Sequence, residues 1–330
     1  MQTRQNELTN WLQNIFDKKS YTLGPLAGDA SFRCYYRLKC EDVSYVIMDA
    51  PPDKETIAPF INIANILACN DIHVPAIHAI NHEHGFILLE DLGDELLLKV
   101  LTSDNKDKLY KSAMATILKI QSSPTDQLPE FDQNHMMSEL KLFHEYFLKA
   151  YLDLALTKED ELLLQETFSW LTREILKQPK VFIHRDYHSR NLIIVNSNPK
   201  DIGVIDFQDA MRGPFTYDLV SLLKDCYKQW PREEVLKWLE HFHQNISPSF
   251  DWTLDEFTRA FDLCGLQRHL KVLGIFCRLN IRDKKSAYLR DLPLTFNYVT
   301  ACVESYSELK PFYNFLQNKV YIPFNKKCSI

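Results

Sequence analysis

Residues 181–195 read V-F-I-H-R-D-Y-H-S-R-N-L-I-I-V, and residues 204–207 read V-I-D-F. An apolar strand delivers His184, Arg185 and Asp186. Asn191 follows five residues after Asp186 and opens the next apolar strand, while Asp206 closes a third apolar segment. Strand ends are rigid, so they can aim three oxygen-bearing side chains at one point. Phosphoryl transfer asks for this set: a carboxylate to take or orient the proton of an acceptor hydroxyl, and an Asn and an Asp to hold Mg²⁺ on the phosphates. The plainer alternative is a polar hairpin whose Asp and Asn cap turns. For His184 a buried scaffold role is the simpler reading, and Arg185 fits a brace of the loop.

Working outward, the first ninety residues are rich in strand patterns. Leu8, Trp11, Leu12, Ile15 and Phe16 mark an amphipathic opening helix. From Ser31 to Lys39 the chain alternates, with Phe32, Cys34, Tyr36 and Leu38 on one face. Val43–Asp49 reads as a second strand, a helix follows through Ile57, Phe60, Ile61, Ala64 and Leu67, and further strands fall at Ala76–Ile80 and Gly85–Leu89. After Leu92-Gly93 the periodicity becomes helical, over Asp104–Ser122, Met136–Leu154, Glu159–Lys177, Glu233–Gln244, Leu254–Asn280 and Leu294–Gln317. The pattern predicts an α+β chain in two parts: residues 1–93, an antiparallel sheet with one helix, and residues 94–330, mainly helical.

Composition removes several classes. With 38 basic and 44 acidic side chains the formal charge is −6, without the basic excess of a nucleic-acid binder. No apolar run approaches the roughly 18 residues of a membrane span, and the start has no signal-peptide core. Eight cysteines form no C-x-x-C pair, which reads as reduced thiols and a cytoplasmic protein. Glycine is scarce, at 8 residues where average usage predicts about 23, so a repetitive glycine loop is hard to accommodate.

The spacing H-R-D-x-x-x-x-N followed by a later Asp resembles the kinase catalytic loop. It is similar to the aminoglycoside/choline phosphotransferase branch of the protein-kinase-like fold. The strings G-D-A-S-F-R-C-Y-Y-R (28–37), V-I-M-D-A-P-P (46–52), L-L-E-D-L-G-D (88–94), I-D-F-Q-D-A-M-R-G-P (205–214) and L-Q-R-H-L-K-V-L-G-I-F-C-R-L (266–279) extend the resemblance over most of the chain. It implies a two-lobe kinase with a nucleotide-binding N-lobe, ATP and Mg²⁺. Asp186 is then the catalytic base, and Asn191 and Asp206 hold the metal. Asp218, in G-P-F-T-Y-D-L (213–219), either braces the catalytic loop or is an ordinary helix first-turn acid. Within the branch the likeness is to amino-sugar kinases, which implies a monomer that phosphorylates a small amino sugar at its anomeric hydroxyl in peptidoglycan recycling. Aminoglycoside, choline or homoserine acceptors, and a catalytically silent binding module, are the alternatives.

Two departures from a protein kinase stand out. The three-glycine loop is replaced by Gly28-Asp29-Ala30-Ser31, so Gly28, Ser31 and Arg33, with Arg37 as a further candidate, are expected at the phosphates. In Tyr45-Val46-Ile47-Met48, Val46 is expected to face adenine and Met48 to take the place of the usual lysine. Which cation replaces that lysine is open, and Glu55 is either its acid partner or a simple first-turn acid. Glu90 and Leu92 are expected to present backbone groups to adenine. Acceptor candidates are Tyr187, His188, Arg190, Gln208, Asp209, Lys224, Gln267, Arg268, His269 and Lys271, the last few on a helix face that is otherwise a solvated one.

Overall fold

The computed structural model describes residues 2–17, 19–26, 32–246 and 251–328. In chain order the main elements are α1 (Gln2–Phe16), β1 (Tyr21–Pro25), β2 (Cys34–Cys40), β3 (Val43–Asp49), α2 (Ala58–Cys69), β4 (Ile77–Asn81) and β5 (Phe86–Glu90). There follow α3 (Leu97–Val100), α4 (Lys106–Gln121), α5 (Gln133–Leu142), α6 (Lys158–Ile175), β6 (Lys180–Ile183), β7 (Leu192–Ile194), β8 (Ile202–Val204) and β9 (Met211–Pro214). The chain ends in α7 (Tyr217–Leu223), α8 (Arg232–Asn245), α9 (Leu254–Asp283), α10 (Leu292–Ser305), α11 (Lys310–Phe315) and α12 (Tyr321–Cys328). Two compact units form, one from residues 1–112 and 190–209, the other from residues 113–189 and 210–330.

The first unit is built on an antiparallel sheet of order β1-β2-β3-β5-β4. Alternation along the strands sends Leu38, Cys40, Ile47, Phe86 and Leu88 into one core, which Leu8 and Leu12 of α1 close. Arg4 anchors α1, donating from Nε to Asp49 Oδ1 at 3.0 Å and lying over the Phe86 ring. The strand expected from Ser31 begins only at Cys34, and Phe32 is exposed. A separate hairpin pairs β7 with β8, Leu192 opposite Val204.

In the second unit a 30-residue helix, α9, is the axis. A capping box starts it: Thr253 Oγ1 accepts from the Glu256 N–H, and Glu256 reaches back to the Thr253 N–H. Its middle, Phe257–Leu279, is almost wholly buried against α5, α6, α7, α8 and α10. α5 continues as a π-helical segment, Phe143–Tyr151, and a Cβ at Gly274 of α9 would come 2.3 Å from the Leu142 carbonyl carbon. The backbones therefore touch there. The single helix expected over 294–317 is instead broken after Ser305 and restarts at Lys310, because Pro311 has no N–H for a helix interior and suits a first turn. β9 pairs with β6, Val181 opposite Gly213. Its sequence, M-R-G-P, has the composition of a turn, and it reads as a strand only through that pairing.

Candidate active site

In the second unit, β6 buries Phe182 and Ile183 and runs straight into His184, Arg185 and Asp186. The turn is held from behind by Asp218, at the start of α7, whose carboxylate accepts the His184 N–H at 2.7 Å and the Arg185 N–H at 3.0 Å. Burial pushes the Asp218 carboxyl up to about 7, against those two donors, which favour its ionised form. Arg185 takes a left-handed φ of +76°, a conformation costly for a residue with a Cβ and maintained here by its surroundings. Its guanidinium donates to Glu139 Oε1 at 2.9 Å. His184 is buried, and its Nδ1 accepts the Asp186 N–H at 3.3 Å, which leaves the ring proton on Nε2.

Asp186 is half-buried, its side chain 43% accessible. Burial would raise its pKa, but Lys271, Arg268, His188 and Arg185 outweigh that and lower it to about 2. The group is therefore an ionised carboxylate at neutral pH. Tyr187 is turned inward, donating from its hydroxyl to the Ala113 carbonyl at 2.9 Å. His188 stands edge-on to Tyr227, and burial pushes its pKa down against the pull of Asp225 and Asp186. Ser189 donates both its N–H and its hydroxyl to Asp225, which is wholly buried.

The expected basic face of α9 is not a solvated one. Gln267, Arg268, His269 and Lys271 are all buried. Lys271 pairs with Glu139 at 3.1 Å and donates to the Tyr217 hydroxyl at 3.3 Å, while Gln267 donates to the other Glu139 oxygen. His269 bonds the Lys224 carbonyl, stacks on Tyr298 and is held neutral by burial, with its pKa near 3. Lys224 is committed to Asp262 at 2.7 Å. Glu139, the hub of this network, is absent from the sequence-based candidates. The available signal was a charged residue on the apolar face that carries Met136, Leu140 and Phe143.

The first unit holds a cavity of about 660 Å³, within the range of small-ligand sites. Val46 and Leu89, paired across β3 and β5, form one apolar wall; Ile193 and Ile205 contribute another. Glu90, Asp91, Leu92 and Gly93 line the edge, where Gly93 adopts φ +89°. Arg37 clamps that edge through Asp91 and Asp94, at 2.7 and 2.6 Å, so those two carboxylates are engaged. Asn191, Arg190 and Asp206 also line the cavity. Asn191 Nδ2 donates to Asp206 Oδ2 at 3.2 Å, and Gln208 donates to Asp206 Oδ1 at 2.8 Å and also contacts Asp209. Asp206 is another non-glycine residue at positive φ, +64°.

Among the described residues no group of three His, Cys, Asp or Glu could hold a metal. The Asn191 and Asp206 side chains offer oxygen donors of the hard kind that suit Mg²⁺, which takes few protein ligands and completes its shell with phosphate and water. Met48 is fully buried and supplies no charge. Arg33 does carry one. It is buried, forms an ion pair with Glu55, and burial is more than offset by Tyr35 and Glu55, so its pKa is raised. Gly28 and Ser31 lie outside the described residues.

A family model described as the phosphotransferase enzyme family matches residues 22–255. The chain belongs to that family. It is also 40% identical over 320 residues to the N-acetylmuramate/N-acetylglucosamine kinase of Pseudomonas putida, covering 93% of this chain and 94% of that one. The α+β architecture is protein-kinase-like. An ethanolamine kinase of Plasmodium vivax superposes with a TM-score of 0.64 at 15% identity, over 90% of this chain and 85% of that one. An ADP-bound aminoglycoside phosphotransferase, APH(2'')-Ib, gives 0.61 at 16% identity, over 88% and 97%. This phosphotransferase is thus an enzyme and not a silent binding module. No helix among its described residues is long and apolar enough to cross a membrane.

Proposed function

We propose that this phosphotransferase is a cytoplasmic, monomeric kinase that transfers the γ-phosphoryl group of ATP to the anomeric (C1) hydroxyl of N-acetylmuramate and N-acetylglucosamine, in peptidoglycan recycling. The observation that carries this reading is the 40% identity, over nearly the whole of both chains, to a kinase named for those two sugars. Residues 1–93 serve nucleotide binding, and residues 94–330 carry the catalytic loop and acceptor groups. Adenine lies against Val46 with backbone groups of Glu90 and Leu92 at its edge, and Gly28, Ser31 and Arg33 attend the phosphates.

Asp186 accepts the hydrogen bond of the anomeric hydroxyl and then its proton. The hydroxyl oxygen bonds to the γ-phosphorus as the bond from that phosphorus to the β–γ bridging oxygen breaks, and ADP departs. A carboxylate ionised well below neutral pH is a weak base, so its contribution is chiefly orientation, which suits a loose transfer in which positioning and electrostatics dominate. Asn191 and Asp206 would hold Mg²⁺, whose chemistry there would be the neutralisation of phosphate charge. Of the acceptor candidates, His188, Arg190, Gln208 and Asp209 are the ones to meet the sugar. Tyr187, Lys224, Arg268 and Lys271, engaged in buried contacts, support it from behind.

The test is ATP consumption by the purified protein with N-acetylmuramate, N-acetylglucosamine, choline and kanamycin in parallel. Turnover with the two amino sugars alone is expected. Turnover with choline or kanamycin in their place would overturn the reading.

A further inference from the structure

The hairpin β7–β8 has Asn191 immediately before it and Asp206 shortly after it. A two-stranded hairpin has two outer edges and is at best marginally stable alone. Here the segments that flank β4 and β5 take both edges. The Ile194 N–H of β7 donates to the Glu95 carbonyl at 2.8 Å, and the Val204 N–H of β8 donates to the His73 carbonyl at 2.8 Å. In the turn, the Ser197 hydroxyl donates to the Glu95 carboxylate at 3.0 Å. On the β8 side the His73 ring joins in. It donates from Nδ1 to Asp201 Oδ1, just before β8, at 2.6 Å, and its Nε2 lies 3.7 Å from Glu90 Oε1 at the end of β5. Glu90 is fixed in turn, accepting the Ala76 N–H on Oε2 at 3.2 Å and donating its own N–H to the Ala76 carbonyl at 2.9 Å. One ring therefore faces a carboxylate of the hairpin and a carboxylate of the cavity edge.

We propose that His73 is a positioning residue for nucleotide binding: through Asp201 and Glu90 it sets the register of the hairpin that carries Asn191 and Asp206 against the Glu90–Leu92 edge. Edge and hairpin ends line the same cavity. A nucleotide that spans it must put adenine at the edge and its phosphates at Asn191 and Asp206 together, so a slip between the two spoils the second contact once the first is made. His73 holds the hairpin at two points, its carbonyl on Val204 and its ring on Asp201, where a single backbone bond would let β8 pivot. The His73 and Asp201 side chains are 30% and 34% exposed, and a pair that open to solvent adds little to stability. Its consequence is geometric, because Mg²⁺ demands near-ideal octahedral coordination and tolerates little displacement of its ligands.

This inference rests on Asn191 and Asp206 as the residues that would hold Mg²⁺, and the experiment separates the two. ADP binding is measured by titration calorimetry, once in EDTA and once with Mg²⁺, for the wild type, His73→Ala, Asp201→Ala and Asp206→Asn, with the urea midpoint as the check on folding. In His73→Ala the affinity for ADP in EDTA should stay within about twofold of wild type, while the gain on adding Mg²⁺ should shrink by roughly 3- to 10-fold, short of the 10–100-fold reached by direct partners of metal ligands. Asp201→Ala should show the same split. A wild-type gain from Mg²⁺ in folded His73→Ala overturns the inference. So does an equal loss of ADP affinity with and without Mg²⁺, which a merely structural role would give. If His73→Ala does not fold, Asp201→Ala decides by the same two criteria. A wild-type gain from Mg²⁺ in Asp206→Asn would instead remove the reading beneath it, whatever His73 does.

Discussion

Arg33 and Glu55 form an ion pair in the first unit, joining the residue before β2 to the segment that leads into α2. β3 contains no Lys or Arg, and its Met48 is packed in the core. The first unit thus holds a buried cation outside β3, already paired with an acid. Glu55→Gln leaves the Arg33 guanidinium buried without its carboxylate. It should destabilise the protein by about 1–3 kcal/mol in urea denaturation and raise KM for ATP more than KM for the sugar. An unchanged ATP KM would show that the pair is structural only.

Glu139 gives a prediction with a definite sign in pH. Burial works to raise its pKa, but Lys271, His135, Arg185 and Gln267 together hold it well below the usual carboxylate range. A folded pKa below the unfolded value of about 4.3 means stability that is complete above that value and lost as pH falls through the folded one. The urea midpoint should therefore fall on acidification below about pH 4. Glu139→Gln should flatten that dependence and cost about 3–5 kcal/mol at neutral pH, because it leaves Lys271 and Arg185 buried without a counter-charge.

Gly274 is required by contact between backbones. In Gly274→Ala the new methyl would meet Leu142 C at 2.3 Å, Leu142 O at 2.5 Å and Phe143 N at 2.5 Å. None of these is the end of a flexible side chain, so α9 must shift away from α5. A loss of at least about 3 kcal/mol is expected, at the upper end for overpacked sites, measurable as a lowered urea midpoint.

How much of this was legible follows from the distances along the chain. Asp186, Asn191 and Asp206 are carried by consecutive strand ends, and local alternation suffices to locate them; the Asn191 and Asp206 side chains do meet. The expected helices over 104–122, 159–177, 233–244 and 254–280 appear within a few residues, because their apolar faces are regular. The Glu139–Arg185–Lys271 network joins positions 46 and 132 residues apart from Glu139, which no local period encodes. For the same reason Arg268 and Lys271 looked like a surface stripe: periodicity groups residues on a face and does not say what covers it. β9 is a strand only through its pairing with β6.

Asp206 sits at a positive φ that Asn tolerates nearly as well, so Asp206→Asn tests charge with little backbone penalty. It should raise the Mg²⁺ concentration for half-maximal rate by roughly tenfold or more, with little change in urea midpoint. An unchanged Mg²⁺ requirement would argue against Asp206 as a ligand.

The central claim is transfer to an anomeric oxygen, with Asp186 receiving the proton. It is tested most directly by ³¹P NMR of the product made from ATP and N-acetylmuramate by the wild-type protein and by Asp186→Asn. The account predicts a sugar 1-phosphate from the wild type, and from Asp186→Asn no detectable product although ATP still binds. A 6-phosphate, or a 1-phosphate formed at the wild-type rate by Asp186→Asn, would contradict it.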